Sequence, residues 1–330
     1  MKKILITGAS GFIGSFLVEE ALKKNYEVYA GIRKTSNTEY LTDPRIKFVE
    51  LDFTDPHSLN RQISELPCFD FVIHNAGTTK AFKTNDYFIT NYQYTKNIID
   101  VLISQKKVKE KFIYMSSLAA YGPGDPLQRS SITSSDIPMP VTSYGKSKLE
   151  SEKYLKSLIG FPHIIIRPTV VYGPREKDLF TVFKLINNNV ELFVGFKNQH
   201  LTFIYVKDLV KAVFQTMESE VINKGYFVSD GNVYNTQDLG NIIKEQLGKK
   251  TIKLFFPKKL VRVIAFFSEA SKYLTRKQSV LNFDKVNELE CLNWTCETQP
   301  MVDEFNFKAD YDLNKGVVET IEWYKNSKWL

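Results

Sequence analysis

The segment KKILITGASGFIGSFLVEEALKK (residues 2–24) constrains this chain more than any other. Residues 2–7 form an apolar, β-branched run, the pattern of a strand buried on both faces. From Phe12 the apolar residues take helical spacing: Phe12, Phe16, Leu17, Ala21 and Leu22. Gly8, Gly11 and Gly14 lie between and at the start of that helix. A strand that turns directly into a helix needs residues without a Cβ, because the backbone doubles back at close range. The helix then opens on the turn with unpaired N–H groups and partial positive charge. In this strand–turn–helix setting the glycine triplet predicts a cradle for the pyrophosphate of a dinucleotide. Ser10, Phe12 and Ile13 complete the candidate cradle.

The alternation continues downstream. YEVYAGI (26–32), RIKFVEL (45–51), FDFVIHN (69–75), KFIYMSS (111–117) and HIIIRPTVV (163–171) read as strands. DPHSLNRQISEL (55–66) reads as a helix opened by an Asp-Pro cap. DYFITNYQYTKNIIDVLISQ (86–105) and YGKSKLESEKYL (144–155) also read as helices. Strands alternating with helices predict βαβ units, hence an α/β fold: a Rossmann-type doubly wound parallel sheet. Ligands bind such sheets outside the carboxyl ends of the strands, where Asn75, Ser116 and Ser117 fall. After Tyr172 the pattern loosens into mixed elements, a smaller C-terminal α/β lobe for substrate. We expect residues 1–171 to form the nucleotide domain, with 201–228 returning to it. Residues 172–200 and 229–330 would form the interleaved substrate lobe. Within it, LFFPKKLVRVIAFFSEASKYL (254–274) gives an apolar helical stripe, with Val261, Ile264, Ala265 and Leu274 as core positions.

Composition narrows the class. No window approaches the ~18 apolar residues of a membrane span, and the apolar start is too short for a signal peptide. A cytoplasmic protein with no integral membrane segment is the expectation. Cys68, Cys291 and Cys296 make no disulfide framework, and the four histidines are scattered, so no metal site is expected. The net charge is +7. Between Thr251 and Lys285, Lys253, Lys258, Lys259, Arg262, Lys272, Arg276, Lys277 and Lys285 face only Glu269 and Asp284. A solvated face, an anionic substrate and a membrane surface all fit that run. Nucleic acid does not, since no recognition motif accompanies the charge.

The end of the second strand speaks to the cofactor. NAD-binding chains usually carry a carboxylate there for the ribose 2′-hydroxyl. Here the strand ends GIRKTSN, with Arg33 and Lys34. A guanidinium suits a 2′-phosphate, so the expectation is NADP, with NAD as the other option. Asp52 and Phe53, ending the third strand, are candidates for the adenine edge.

TGASGFIG, HNAG, YMSSLAAYG, YGKSK, RPTVVYGP and IYVKDLVKA appear in this order along the chain. Together they closely resemble the extended short-chain dehydrogenase/reductase family, which includes nucleotide-sugar epimerases and dehydratases. The resemblance implies a catalytic set of Ser117, Tyr144 and Lys148. It implies further cofactor contacts at Asn75, Ala76, Gly77, Asn91, Pro168, Val170 and Val171, besides Tyr144 and Lys148. It points to Ser116, Ser117 and Arg175 for a small-molecule substrate, and to a homodimer. Physics supports the pair at its centre. Tyr144 and Lys148 share one helix face. An ammonium ~4 Å from the phenol, at an effective dielectric of ~20, is worth about 4 kcal/mol, enough to bring a tyrosine toward neutrality. Hydride would pass between nicotinamide and a carbon bearing oxygen while Tyr144 moves the proton.

Departures from the family's patterns narrow the chemistry. Its dehydratases and decarboxylases carry acidic residues after the serine; here Leu118 and Ala119 stand there, with no cysteine nearby. That disfavours β-elimination and carbanion chemistry. Nucleotide-sugar enzymes of the family commonly carry an arginine just before the segment matching FIYVKD; here His200, Leu201 and Thr202 stand there. Two readings follow: an oxidoreductase acting on a carbonyl or secondary alcohol, or a nucleotide-sugar 4-epimerase holding its cofactor tightly.

Overall fold

The structure, a computed structural model, describes residues 1–127, 130–275 and 282–330, with backbone alone over 270–275. The chain begins β1 (Lys3–Thr7), α1 (Phe12–Lys23), β2 (Glu27–Ile32), β3 (Lys47–Glu50), α2 (Pro56–Ser64) and β4 (Phe69–His74). Then come α3 (Thr84–Tyr87), a π-helical turn over Phe88–Gln93, α4 (Tyr94–Ser104) and β5 (Val108–Met115). Next are α5 (Ser143–Ser157), β6 (His163–Pro168), β7 (Val170–Tyr172), α6 (Phe180–Asn187) and β8 (Val190–Val194). β9 (His200–Leu201), β10 (Phe203–Tyr205), α7 (Val206–Glu218), β11 (Lys224–Val228), β12 (Tyr234–Asn235) and α8 (Asp238–Leu247) follow. The chain closes with β13 (Ile252–Phe256), α9 (Lys258–Thr275), α10 (Phe283–Glu290), β14 (Asn293–Trp294), α11 (Gln299–Phe305) and α12 (Leu313–Asn326).

These elements fall into two compact units. The first is Met1–Ser117, Ser147–Arg167 and Val210–Tyr226. Its sheet has the order β11-β6-β5-β4-β1-β2-β3, and β3 through β6 pair in parallel. That order is the doubly wound one, with its reversal between β1 and β4. Leu5, Val72, Phe112 and Ile165 of the sheet are buried against Leu59 and Ile63 of α2 and Ile98 and Leu102 of α4. The sheet is thus covered as its continuous apolar runs require.

The second unit is Leu118–Lys146, Pro168–Leu209 and Phe227–Leu330. It holds three small sheets: β10-β7, β12-β9-β14 and β13-β8. Its largest cluster joins Tyr172, Phe203 and Tyr205 to Phe183 and Ile186 of α6, Ile243 of α8 and Val317 and Ile321 of α12. Among the described residues no helix is long and apolar enough to cross a membrane, no group of residues could hold a metal, and the three cysteines are free.

Three sequence readings need correction. Residues 86–105 are helical almost throughout, as expected, but Phe88–Gln93 form a π turn within the run rather than α-helix. Residues 163–171 are not one strand: β6 ends at Pro168, which has no N–H to continue a ladder, and β7 pairs with β10 instead. Residues 254–274 do not form one helix: β13 pairs with β8 up to Phe256, and Pro257 stands between strand and helix. In α9, Val261 and Ala265 are buried, Ile264 is exposed, and the side chain of Leu274 lies outside the described residues.

The first unit buries a charge pair. Glu152 of α5 accepts from Arg167 Nε at 2.9 Å and Nη2 at 2.8 Å, and neither side chain is more than 1% exposed. Gly225 leaves the space for the guanidinium; a Cβ there would lie 2.6 Å from Arg167 Nη1. Removing one partner strands the other charge, which typically costs about 3–5 kcal/mol. Glu152→Ala should therefore lower the urea unfolding midpoint by that much stability. The double variant Glu152→Ala/Arg167→Met should recover most of the loss; equal loss in both would show that the pair itself is not the cause.

Candidate active site

The glycine turn follows β1. Gly8 has φ +66°, and a Cβ there would lie 2.8 Å from the Ala76 nitrogen, so the turn sits directly on the chain leaving β4. A Cβ on Gly14 would overlap the Gly8 carbonyl oxygen, so α1 springs straight from the turn. Asn75 Nδ2 donates to the Gly8 carbonyl at 3.5 Å, and the Ala76 N–H donates to Thr7 Oγ1 at 3.3 Å. Gly11 is the exposed N-cap of α1; it supplies no side-chain cap, and the first turn carries no acid. Ser10, Phe12 and Ile13 are half-buried around it. The uncapped helix N-terminus and the side-chain-free turn fit a pyrophosphate.

Past β2, Arg33 and Lys34 are exposed, and the Arg33 N–H closes a turn on Ser36 Oγ at 3.0 Å. Asp52 accepts from the Thr54 hydroxyl at 2.6 Å and the Thr54 N–H at 2.9 Å, which hold its carboxyl below the usual range. Phe53 sets its ring edge-on to His74 and stacks on Tyr94.

Three elements meet around Lys148. Its ammonium is buried, donates to the Met115 carbonyl at 2.8 Å and lies 4.9 Å from the Tyr114 ring centre. Burial pushes it down to about 8, against the pull of Glu152. The full ammonium assumed from sequence is therefore a partly desolvated one, still largely protonated at pH 7. A Cβ on Gly77 would lie 3.0 Å from Asn91 Oδ1 and 3.3 Å from Lys148 Nζ, so a larger residue would crowd both side chains. Asn91, carried inward by the π turn, accepts from the Thr78 N–H at 2.7 Å and donates to Ser147 Oγ at 3.0 Å. Tyr144 is half-buried one turn before Lys148 on α5.

Ser116 and Ser117 part company. Ser116 is 3% exposed, and its hydroxyl donates to Glu152 Oε1 at 2.6 Å. The next residue, Ser117, is half-buried. Ser116 thus belongs to the buried Glu152–Arg167 network. Pro168, Val170, Val171 and Arg175 belong to the second unit; Pro168 is buried, the two valines are half-buried, and Arg175 takes φ +74°.

Sequence reasoning missed Glu152, Arg167 and His74. Glu152 carried a signal, since it lies four residues past Lys148 on the same helix face. His74 ends β4 wholly buried. Its Nδ1 meets Thr7 Oγ1 at 2.8 Å and its Nε2 meets Thr95 Oγ1 at 3.0 Å. Thr95 spends its own proton on the Asn91 carbonyl at 2.6 Å, which assigns the imidazole proton to Nε2. Burial, and then the charge of Lys148, push His74 down to about 3.

A doubly wound sheet, a glycine-turn anion cradle and a buried lysine at the strand ends define a dinucleotide-dependent enzyme of the extended short-chain dehydrogenase/reductase type. The family model described as "NAD dependent epimerase/dehydratase family" matches residues 4–229, and the chain belongs to that family. A ceramide reductase of Caulobacter vibrioides is 23% identical over 99% of this chain and 96% of its own length. A UDP-glucose 4-epimerase of Vibrio cholerae is 26% identical over 89% of this chain and 90% of its own length. The solved structure of a UDP-glucose 4-epimerase from Thermotoga maritima, with UDP-glucose, shares the fold. It covers 99% of both chains at a TM-score of 0.79 and 20% identity. The chain is an NAD(P)-dependent oxidoreductase of this family, and its cofactor is a nicotinamide dinucleotide.

His74 makes stability depend on pH. Unfolded, an ordinary histidine titrates near 6.5; folded, His74 titrates near 3. Between these values the unfolded state binds more protons, so stability is complete above pH 6.5 and falls as pH drops. The loss approaches about 1.4 kcal/mol per pH unit. Urea unfolding across that window should show a flatter profile for His74→Gln than for the wild type; parallel profiles would contradict a neutral, buried His74.

Proposed function

We propose that the chain is an NADP-preferring reductase or dehydrogenase of a carbonyl or secondary alcohol on an apolar small molecule. The observation that carries this reading is the loop after β2. Directly after the strand it presents Arg33 and Lys34, both exposed, with no carboxylate before Glu39. A guanidinium there binds a 2′-phosphate by charge-assisted hydrogen bonds.

Bound nicotinamide supplies or accepts the hydride. The chain's own residues do the rest. The turn at Gly8–Gly14 and the N-terminus of α1 hold the pyrophosphate. Asn75, Ala76 and Gly77 let the cofactor approach the end of β4, and Asn91 keeps that segment in place through Thr78. Ser117 hydrogen-bonds the substrate oxygen, and Tyr144 gives it the proton during reduction or removes it during oxidation. Lys148, held on the Met115 carbonyl, orients the ribose and favours the phenolate. A homodimer belongs to the same reading by family resemblance, and a cytoplasmic location is proposed with it.

An apolar substrate fits the second unit. A cavity of about 740 Å³ there is lined by Pro123, Pro126, Phe196, Pro257 and Leu292 together with Lys197, Lys258, Lys259 and Glu290, and Ser117, Tyr144 and Lys148 are not among its lining residues. The other reading, a nucleotide-sugar 4-epimerase, is favoured by the Vibrio cholerae and Thermotoga maritima relatives. Against it, β9 and the next residue offer His200, Leu201 and Thr202 and no guanidinium for a diphosphate. The Thr202 hydroxyl is itself buried, donating to the Trp294 carbonyl at 3.0 Å.

Calorimetric titration of cofactor-stripped protein should show NADPH binding at least about tenfold tighter than NADH, the scale of a charge-assisted hydrogen bond. Arg33→Ala should erase the difference. NADH binding equally well would overturn the preference and bring the epimerase reading forward. Tyr144→Phe should lower turnover about 10²- to 10⁴-fold while leaving cofactor affinity intact; turnover at the wild-type rate would exclude Tyr144 as the proton carrier.

A further inference from the structure

Helix α9 is apolar on two faces. Val261 and Ala265 pack against Val286 of α10, with Val194 and Phe256 beside them. That face is the ordinary one, turned to a core. Leu260, Val263, Ile264 and Phe267 recur at i, i+3, i+4 and i+7, which puts them on one stripe of the same helix. They are 46%, 51%, 42% and 64% exposed. An amphipathic surface helix should present polar residues there, and this one presents a second apolar stripe.

The stripe does not stand alone. The β8–β13 ribbon exposes Leu192, Ile252 and Leu254. On the other side of the ribbon Phe255 is also exposed and stacks on Phe196, which is 74% exposed at the loop after β8. Ten of the 22 large exposed hydrophobics among the described residues lie in these neighbouring segments of the second unit. Solitary exposed apolar residues are normal, whereas a concentration of this kind marks a surface that meets something.

Charge identifies what it meets. Residues 249–267 contain six lysines and arginines and no acid. Lys253, Lys259 and Arg262 are exposed beside the apolar residues, and Lys197 follows Phe196. Arg262 is paired with Glu290 at 2.6 Å, which anchors α9 and leaves Lys197, Lys253 and Lys259 to carry the positive rim. A second copy of the chain would bring the same cations against one another across a twofold interface. An anionic bilayer meets both features at once: aromatic and aliphatic side chains enter the headgroup–acyl boundary, and long cationic chains reach the phosphates.

We propose that this region of the second unit, α9 with the β8–β13 ribbon and Phe196, docks the enzyme on an anionic phospholipid surface. The chain then rests on the bilayer without crossing it. The cavity lined by Phe196, Lys197, Lys259 and Leu292 shares Phe196, Lys197 and Lys259 with this surface. The docking rests on the surface alone and does not depend on which cofactor or substrate the enzyme uses.

The test is co-sedimentation of the full-length enzyme with vesicles of phosphatidylcholine alone and of phosphatidylcholine mixed with phosphatidylglycerol. We expect binding to the mixed vesicles at least about tenfold stronger, weakening as salt is raised. Phe266→Ser/Phe267→Ser and, separately, Lys253→Glu/Lys259→Glu should each reduce that binding at least about tenfold. All four positions are exposed, so thermal unfolding and NADPH affinity should stay as in the wild type. Absence of binding to either vesicle would overturn the proposal, as would equal binding by the variants. A dimer that ignores vesicles and dissociates in Phe266→Ser/Phe267→Ser would overturn it in favour of self-association, and retention by nucleic acid alone would overturn it in favour of a polyanion.

Discussion

The first unit depends on charges buried beneath α5. Lys148, Glu152 and Arg167 all lie out of water, at a desolvation cost that apolar residues would not incur. Each is satisfied by a specific partner: Lys148 by the Met115 carbonyl, Glu152 by Arg167 and the Ser116 hydroxyl. These bonds tie α5 to the ends of β5 and β6, and they set the height at which Lys148 stands. A hydrophobic contact is non-directional and would let the helix slide; a bidentate ion pair and a lysine–carbonyl bond would not. The geometry of the candidate site follows from that restriction.

The remaining parts of the site are set by backbone more than by side chains. Gly8 and Gly14 allow α1 to start at the turn, and Gly77 leaves room beside Asn91 and Lys148. The π turn that brings Asn91 inward is a local departure from α geometry of a kind that often accompanies functional sites. Asn91 then fixes Thr78 and Ser147, so one side chain links the segment after β4 to α5. Beneath them, neutral His74 joins β1 to α4 through Thr7 and Thr95.

The charges under α5 and the cations around α9 are used in opposite ways. Those under α5 are buried, paired and positional. The cations of residues 249–267 surround exposed aromatic and aliphatic side chains, with few partners beyond Glu290 and Gln237. The basic run between Thr251 and Lys285 left a solvated face, an anionic substrate and a membrane surface open. Lys272 has no described side chain, and Arg276 and Lys277 lie outside the described residues. What distinguishes the readings is the apolar stripe of α9, and a one-dimensional pattern cannot say which of two stripes faces a core.

The sequence by itself determined the strand–helix alternation, the glycine turn and the helix bearing Tyr144 and Lys148. Each is a local matter: period 2 against period 3.6, a missing Cβ, residues four apart on one helix. Only tertiary structure decided the rest. Ser116 and Ser117 are adjacent and chemically alike; the position of Glu152 under β5 determines that Ser116 is the buried partner. Pro168 ends β6, but the partner of β7 is β10, more than thirty residues on. Leu254–Phe256 read as the start of a helical stripe until pairing of Ile252–Phe256 with β8 makes them a strand. Ile264 and Ala265 are consecutive in the chain, yet one is exposed and one buried, because only one side of α9 meets Val286. In every such case the deciding partner is distant in sequence, and propensity carries no information about which distant residue will arrive.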